Sequence, residues 1–333
     1  MATIALLPVS ILILLAGALL FTNGVEWLGA KLELGQGAVG SLLAAVATAL
    51  PESLIPVTAV VEGGEGSADV AVGAILGAPF LLSTAAMALV GGAAYGWRRR
   101  RPQGKGLEVH FPTLERDLAF FLVCFAGGFV LGIVDVPRWL RVAGAVLLVA
   151  AYAAYVRFTL AHSGEVAEEE ELKPLSFDMT KSDPPRIGTV LVQLVVALGA
   201  IVGGAHIFVD EIIHASESLG IAPLVLSLVI APFATELPEK VNSVFWVRDG
   251  KDTLALGNIT GAMVFQSTLP VAFGLAATDW NLETASIVVG LLTVVGGLLA
   301  LFELQVRRRF IGRAVALWAA LWLAFVVYVA ATA

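Results

Sequence analysis

The chain has 333 residues, 58% of them hydrophobic and only 14% charged, with a mean hydropathy of +0.89. Soluble domains are about a quarter charged and just under half apolar, so this composition excludes an ordinary soluble domain, a disordered chain and a collagen-like fibre. A net charge of −7 argues against a nucleic-acid partner, and the single Cys124 makes neither an internal disulfide nor a multi-thiolate metal site.

Taken in chain order, the apolar runs predict an all-α polytopic membrane protein. A hydrocarbon core of about 30 Å needs roughly 20 apolar residues per helix. The first run, Ile4–Trp27, has no basic residue before it and reads as a retained helix rather than a signal peptide. Leu34–Val61 follows and contains Glu52, then Val70–Trp97, Leu118–Val134 and Val142–Val156. After a polar stretch come Ile187–His214, Ser218–Val247 with Glu236, Glu239 and Lys240, Thr253–Thr278, Thr284–Phe302 and Ala314–Ala333. None alternates as the strands of a barrel would. Ten spans result.

The polar stretch Ala161–Arg186 divides them five and five: residues 1–160, a linker 161–186 and residues 187–333. Its acidic run, Glu168–Glu171, reads as a solvated linker or as a weak Ca²⁺-sensing strip. Arg98–Arg101, Lys173, Lys181, Arg186 and Arg307–Arg309 fall in odd-numbered connections, with Arg138 and Arg141 as exceptions. By the positive-inside rule both termini are expected outside and the central loop in the cytoplasm, with the cell membrane as the expected location. Trp27, Trp97, Trp139, Trp246 and Trp280 stand near span ends, where interfacial anchors are expected. His206, Asp210 and His214 share a face of the sixth span, as a polar helix end or as an outer vestibule that gathers cations.

One string occurs twice. Ala47-Thr48-Ala49-Leu50-Pro51-Glu52 in the first half corresponds to Ala234-Thr235-Glu236-Leu237-Pro238-Glu239 in the second. Each is followed by a glycine-spaced pattern, Gly73-Ala74-Ile75-Leu76-Gly77-Ala78 and Gly257-Asn258-Ile259-Thr260-Gly261-Ala262. Because five is odd, the second copy enters the membrane inverted, and inverted repeats bring paired elements together near the midplane. Pro51 and Pro238 lack the N–H that the Ala47 and Ala234 carbonyls would otherwise accept, so each helix is expected to kink or break there. The freed carbonyls, the Thr48 and Thr235 hydroxyls and the Glu52 and Glu239 carboxylates are hard oxygen donors suited to Na⁺ and Ca²⁺. Glu52 is the only charge between Glu33 and Glu62, and an intramembrane carboxylate is a functional group by default.

Thr-x-Leu-Pro-Glu repeated in two halves of a ten-span chain resembles the cation/Ca²⁺ antiporter superfamily, specifically its Na⁺/Ca²⁺ exchanger membrane region. The resemblance covers nearly the whole chain. It implies that Glu52 and Glu239 bind Ca²⁺ in competition with a counter-ion, with Thr48 and Thr235 in support. The departures are Ala49 and Glu236 where the family has Ser, Ala74, Ala78 and Leu82 in the first half, and Ala262 in the second. Asn258 is kept, Gln266 stands at the last ligand position, and Lys240 follows the second motif where an apolar residue is usual.

Three readings of these departures stay open. Glu236 and Lys240 pair at i,i+4 if Pro238 permits, or Lys240 takes the place of one Na⁺, or a desolvated Glu236 or Glu239 carries protons. The expected function is Ca²⁺ exchange for Na⁺ or H⁺ by alternating access, with inorganic cations as cargo, the bilayer as solvent and no resident cofactor. The alternatives are a divalent-cation channel or uniporter on the same fold, or a lipid-processing enzyme using the paired Glu as acid and base. No His-Glu-x-x-His or Asp-rich diphosphate motif supports the enzyme, and a non-enzyme is expected.

Overall fold

In a hydrocarbon solvent each spanning segment must satisfy its own backbone, and the elements formed here are helices. The computed structural model describes residues 6–32, 49–101, 104, 106–162, 172–178, 184–307 and 312–332; side chains at 50, 160, 162, 237–239, 307, 312, 313, 330 and 332 are outside that description. In chain order these are α1 (Leu6–Lys31), α2 (Leu50–Glu62), α3 (Ser67–Leu81) and α4 (Met87–Gly96), the last two joined by a π turn at Leu82–Ala86. Then come α5 (Phe111–Ile133), α6 (Arg138–His162), α7 (Ile187–Leu219) and α8 (Pro223–Arg248). The chain continues through α9 (Asp252–Gln266), α10 (Leu269–Ala277), α11 (Thr284–Phe302, running into a π turn at Glu303–Arg307) and α12 (Gly312–Thr332).

Among the described residues, 7 helices are long and apolar enough to cross a membrane, the joined α3–α4 and α9–α10 each counting as one. Segments Pro223–Glu236 and Ala314–Val329 are shorter apolar helices. Of the second span, only the part from Ala49 onward lies in the described residues.

The packing repeats with the halves exchanged. Helix α1 lies along α7, its counterpart; α2 packs on α7 as α8 packs on α1. Likewise α3 meets α11 as α9 meets α5, and α4 meets α12 as α10 meets α6. That exchange is what two inverted five-helix repeats require. The joined α3–α4 runs through the middle: Val70, Ile75, Leu76, Phe80, Leu82 and Val90 are all almost wholly enclosed.

Glycine decides how close α3 comes to α8. A Cβ on Gly73 would stand 2.7 Å from the Leu224 carbonyl oxygen, and one on Gly77 would collide with the Leu228 carbonyl and stand 2.6 Å from Pro232 Cγ. Pro232 has no N–H to offer the Leu228 carbonyl, so the α8 backbone is left bare where Gly77 meets it. The Ser227 hydroxyl then donates to the Val70 carbonyl at 2.7 Å, tying the two helices together. Gly257 and Gly261 have no described residue within 4 Å of such a Cβ.

Two polar clasps hold the bundle. Arg101 and Asp252, both with wholly buried side chains, pair at 2.7 Å where α4 ends and α9 begins. The same guanidinium donates to the carbonyls of Val247, Gly104 and Gly106, and Asp252 accepts the Glu108 N–H at 2.8 Å. Arg101, which the sequence groups with the basic residues of the odd-numbered connections, is a structural cross-link; Arg98 and Arg100 stack on Tyr95 and Trp97. The second clasp is Asp117 on α5, which accepts from Tyr155 on α6, from Thr260 on α9 at 2.9 Å, and from Arg116 at 3.3 Å. With its charge so satisfied, Asp117 does not end the helix. Helix α5 therefore begins at Phe111, a full two turns before the charge-free run at Leu118.

The tryptophans divide. Trp139 is 70% exposed, as an interfacial anchor would be. Trp280 is buried and donates to the Gly128 carbonyl at 3.0 Å, and the buried Trp27 donates to the Lys173 carbonyl at 2.9 Å. These two are packing residues with a satisfied indole rather than interfacial anchors.

Candidate functional site

The repeated strings sit differently in their helices. Pro51 stands in the first turn of α2, where its missing N–H costs nothing, and Glu52 lies in that same turn. An acidic side chain is favoured at such an N-terminus, where the unsatisfied N–H groups of the first turn are concentrated. Pro238 instead lies within α8, which continues for 26 residues from Pro223 to Arg248. The interruption there is in the hydrogen-bond ladder: Pro238 offers no N–H to the Ala234 carbonyl, but the helix runs on.

That continuity decides the geometry of the second motif. With α8 unbroken, Glu236 and Lys240 occupy one face, and Lys240 Nζ stands 3.2 Å from Glu236 Oε2, each side chain 1% exposed. From α9, Gln266 Nε2 donates to Glu236 Oε1 at 3.1 Å and also to Glu52 Oε1 at 3.0 Å. One amide thus bridges a carboxylate from each half of the chain. Glu52 is itself buried, as are Thr235 and Gln266.

The third helix of each repeat is irregular at this level. After Gln266 the chain turns through Ser267 and Thr268 before α10 starts. At the equivalent point of the first repeat, Leu82–Ala86 forms the π turn. Such local departures from the α-helix are frequent at functional positions. Ser83 and Thr84 both donate to the Phe80 carbonyl, and Ser267 and Thr268 both donate to the Val264 carbonyl. Sequence reasoning passed over this dipeptide. Its signal was present, since Ser83-Thr84 and Ser267-Thr268 follow Gly77 and Gly261 at the same interval.

The predicted residues therefore separate into groups. Glu52, Glu236 and Gln266 come together, and Lys240 joins them. Thr235 is buried beside Glu236 on α8, its hydroxyl donating to the Ala231 carbonyl at 3.1 Å; a hydroxyl that donates once keeps lone pairs for a cation. Ala234 is buried on the same helix. Asn258 donates to Ser243 Oγ at 3.3 Å and lies about 12 Å along α9 from Gln266, at 1.5 Å per residue. Ala47 and Thr48 lie outside the described residues, as does the side chain of Glu239. The polar residues of the sixth span go elsewhere: His206 pairs with Glu62 at the end of α2 and lies 3.8 Å from Asp210, and His214 lies 3.9 Å from Glu211.

Among the described residues, no three His, Cys, Asp or Glu side chains form a metal-binding group. What Glu52, Glu236, Gln266 and Lys240 form is a buried network of two carboxylates, one amide and one ammonium. Its acidic groups outnumber its basic one. At an effective dielectric of 20, unit charges 4 Å apart interact by about 4 kcal/mol, so the excess is a strong attractor for a dehydrated cation. A divalent cation entering here would displace the Gln266 amide protons from the two carboxylates and take their oxygens. Hard oxygen donors of this kind are the ligands that suit Na⁺ and Ca²⁺.

The sequence matches the family model described as "Sodium/calcium exchanger protein" over residues 2–161 and 189–332. It is 25% identical to the putative antiporter CaxA of Alkalimonas amylolytica over 292 residues, 86% of this chain and 83% of that one. A shorter stretch of 92 residues, 28% of this chain and 26% of the relative, is 36% identical to the sodium/calcium exchanger MaX1 of Methanosarcina acetivorans. The fold is similar to the crystal structure of the H⁺/Ca²⁺ exchanger CAX, with a TM-score of 0.72, 20% identity, and coverage of 98% of this chain and 81% of that one. It is also similar to a structure of the sodium-calcium exchanger NCX_Mj, with a TM-score of 0.60, 18% identity, and coverage of 98% and 97%.

Proposed function

The chain belongs to the sodium/calcium exchanger protein family, and on that premise we propose that it moves Ca²⁺ against a monovalent cation through the network of Glu52, Glu236 and Gln266. It is a transporter of inorganic cations in a membrane, not an enzyme. The observation that carries the proposal is the Gln266 amide bridging carboxylates of the two halves. A site built half from each repeat is one that can be opened from either side in turn, whereas a lipid-processing active site gains nothing from duplication.

In this reading Ca²⁺ is held near the midplane by Glu52, Glu236 and Glu239, with the Ala47 and Ala234 carbonyls and the Thr48 and Thr235 hydroxyls completing the shell. Ca²⁺ takes 6–8 oxygens, and this mixed set can supply that number. Asn258, two turns away along α9, serves to brace α8 against α9 through Ser243. The counter-ion is Na⁺ or H⁺. Ala78 and Leu82, both almost wholly buried, give the first repeat no side-chain oxygen where the resemblance expects one, and this favours the proton. The halves are 1–160 and 187–333, joined by a cytoplasmic linker at 161–186, with both termini outside the cell membrane. The two separate matches to the family model support that division.

The experiment is Ca²⁺ uptake into proteoliposomes, under an imposed Na⁺ gradient in one set and a pH gradient in the other, with the membrane potential clamped. Uptake under either gradient alone identifies the counter-ion. Ca²⁺ movement that needs neither gradient and exceeds any counter-flux means a channel or uniporter. No uptake under any condition overturns the Ca²⁺ reading.

A further inference from the structure

We propose that Lys240 is a tethered counter-ion that sets the charge stoichiometry of the exchange, reducing by one the number of monovalent cations carried per Ca²⁺. The inference rests on the antiport reading proposed above, in which Glu239 is one of the three carboxylates that hold Ca²⁺. The ammonium is 1% exposed, 3.2 Å from a carboxylate oxygen of Glu236, and Glu236 reaches Glu52 through a single Gln266 amide. It is therefore part of the ion-binding network rather than a surface charge. Its alkyl chain is anchored in α8 one turn from Glu236, so it cannot leave with the cargo.

The charge count follows. Glu52, Glu236 and Glu239 present three negative charges and Lys240 one positive charge, a net of two negative. One Ca²⁺ neutralises that net, and so do two monovalent cations, Na⁺ or H⁺ alike. The protein's own charge is the same in both half-cycles, so the exchange moves no net charge. Without the ammonium the same three carboxylates call for three monovalent cations, and each cycle then moves one positive charge against the Ca²⁺. The extra carboxylate at 236 and the lysine at 240 thus compensate each other: the pair adds ligand oxygens without adding net charge.

The test is the charge moved per Ca²⁺, read by solid-supported-membrane electrometry alongside isotopic Ca²⁺ uptake in the same proteoliposomes. The wild type is expected to move close to zero net charge per Ca²⁺, and Lys240→Gln close to one. Lys240→Arg, which keeps the charge, is expected to keep the wild-type ratio whatever its rate. Lys240→Met, which keeps the length of the side chain without its charge, is expected to move close to one charge per Ca²⁺ as Lys240→Gln does, and it carries the test with the arginine variant if the glutamine variant does not fold. A ratio that is the same in the wild type and in Lys240→Gln or Lys240→Met, or that differs between the wild type and Lys240→Arg, overturns the inference while leaving Ca²⁺ antiport intact. Absence of Ca²⁺ uptake by the wild type under both gradients overturns the antiport reading and this inference with it.

Discussion

Glu52 and Glu236, 184 positions apart in the sequence and in opposite halves of the chain, accept hydrogen bonds at 3.0 and 3.1 Å from the same Gln266 nitrogen. Two buried carboxylates that share one donor repel, and the Gln266 amide and the Lys240 ammonium offset that repulsion. In the proposed function, a cation that binds between them replaces the amide. Amide and cation then compete for the same oxygens.

Removing the carboxylate charge at Glu52 is expected to abolish Ca²⁺ transport. The isosteric Glu52→Gln keeps the shape and a partner for Gln266 but deletes the ligand charge. Since even outer-shell partners of a metal contribute about 10–100-fold in affinity, a loss of transport at or above about 100-fold is expected. Ca²⁺ uptake together with a size-exclusion profile checks it; wild-type flux in a monodisperse variant places Glu52 outside the site.

Gln266→Ala is expected to weaken the empty protein more than the loaded one. Hydrogen bonds to charged groups contribute about 1.5–3 kcal/mol each, and the variant loses two while leaving two carboxylates to repel. Thermal unfolding in detergent should show a lower midpoint without Ca²⁺ and a larger rise on adding it than in the wild type. An unchanged Ca²⁺-induced rise argues against competition between the amide and the cation.

The Arg101–Asp252 pair gives a prediction about stability alone. Truncating one partner of a fully buried pair leaves an uncompensated charge, at a cost of about 3–5 kcal/mol. Arg101→Ala is expected to lower the unfolding midpoint sharply, and adding Asp252→Ala to recover part of it. A double-mutant cycle on unfolding midpoints measures the coupling.

Glycine substitutions separate close approach from open space. Gly77→Ala places a methyl group against the Leu228 carbonyl and Pro232, and overpacking of this kind costs about 1–3 kcal/mol. Gly127→Ala meets nothing within 4 Å and replaces a poor helix former, so it is expected to be neutral or slightly stabilising. Yield and unfolding midpoints of the two variants check the contrast.

Tyr155→Phe removes one donor from Asp117 and leaves Thr260 and Arg116. A loss of about 1.5–3 kcal/mol in stability is expected for a hydrogen bond to a charged acceptor. The charge per Ca²⁺ is expected to stay at the wild-type value, because Asp117 lies outside the Glu52–Glu236 network.

The sequence alone determined the solvent, the class and the pairing of motifs. Uncharged runs long enough to span a bilayer have no other stable use, and a carboxylate at Glu52 inside such a run demands a reason. Short-range chemistry was legible too: prolines at 51 and 238 each remove one N–H from the backbone ladder, and the Glu236–Lys240 interval is a helical one. What the sequence left open was whether Pro238 would spoil that interval, because a proline removes one hydrogen bond and only the surrounding packing decides whether the helix survives it. Helix α8 survives, held against α3 by glycines at 73 and 77, and so Lys240 reaches Glu236. The tertiary structure alone also decided which polar residues meet. Gln266 reaches both carboxylates while Asn258, on the same helix, turns to Ser243; Asp117 stays inside α5 because Tyr155 and Thr260 come to it from two other helices. A charge in a membrane helix is tolerated only where partners from other helices satisfy it, and no local pattern in the chain says where those partners will be.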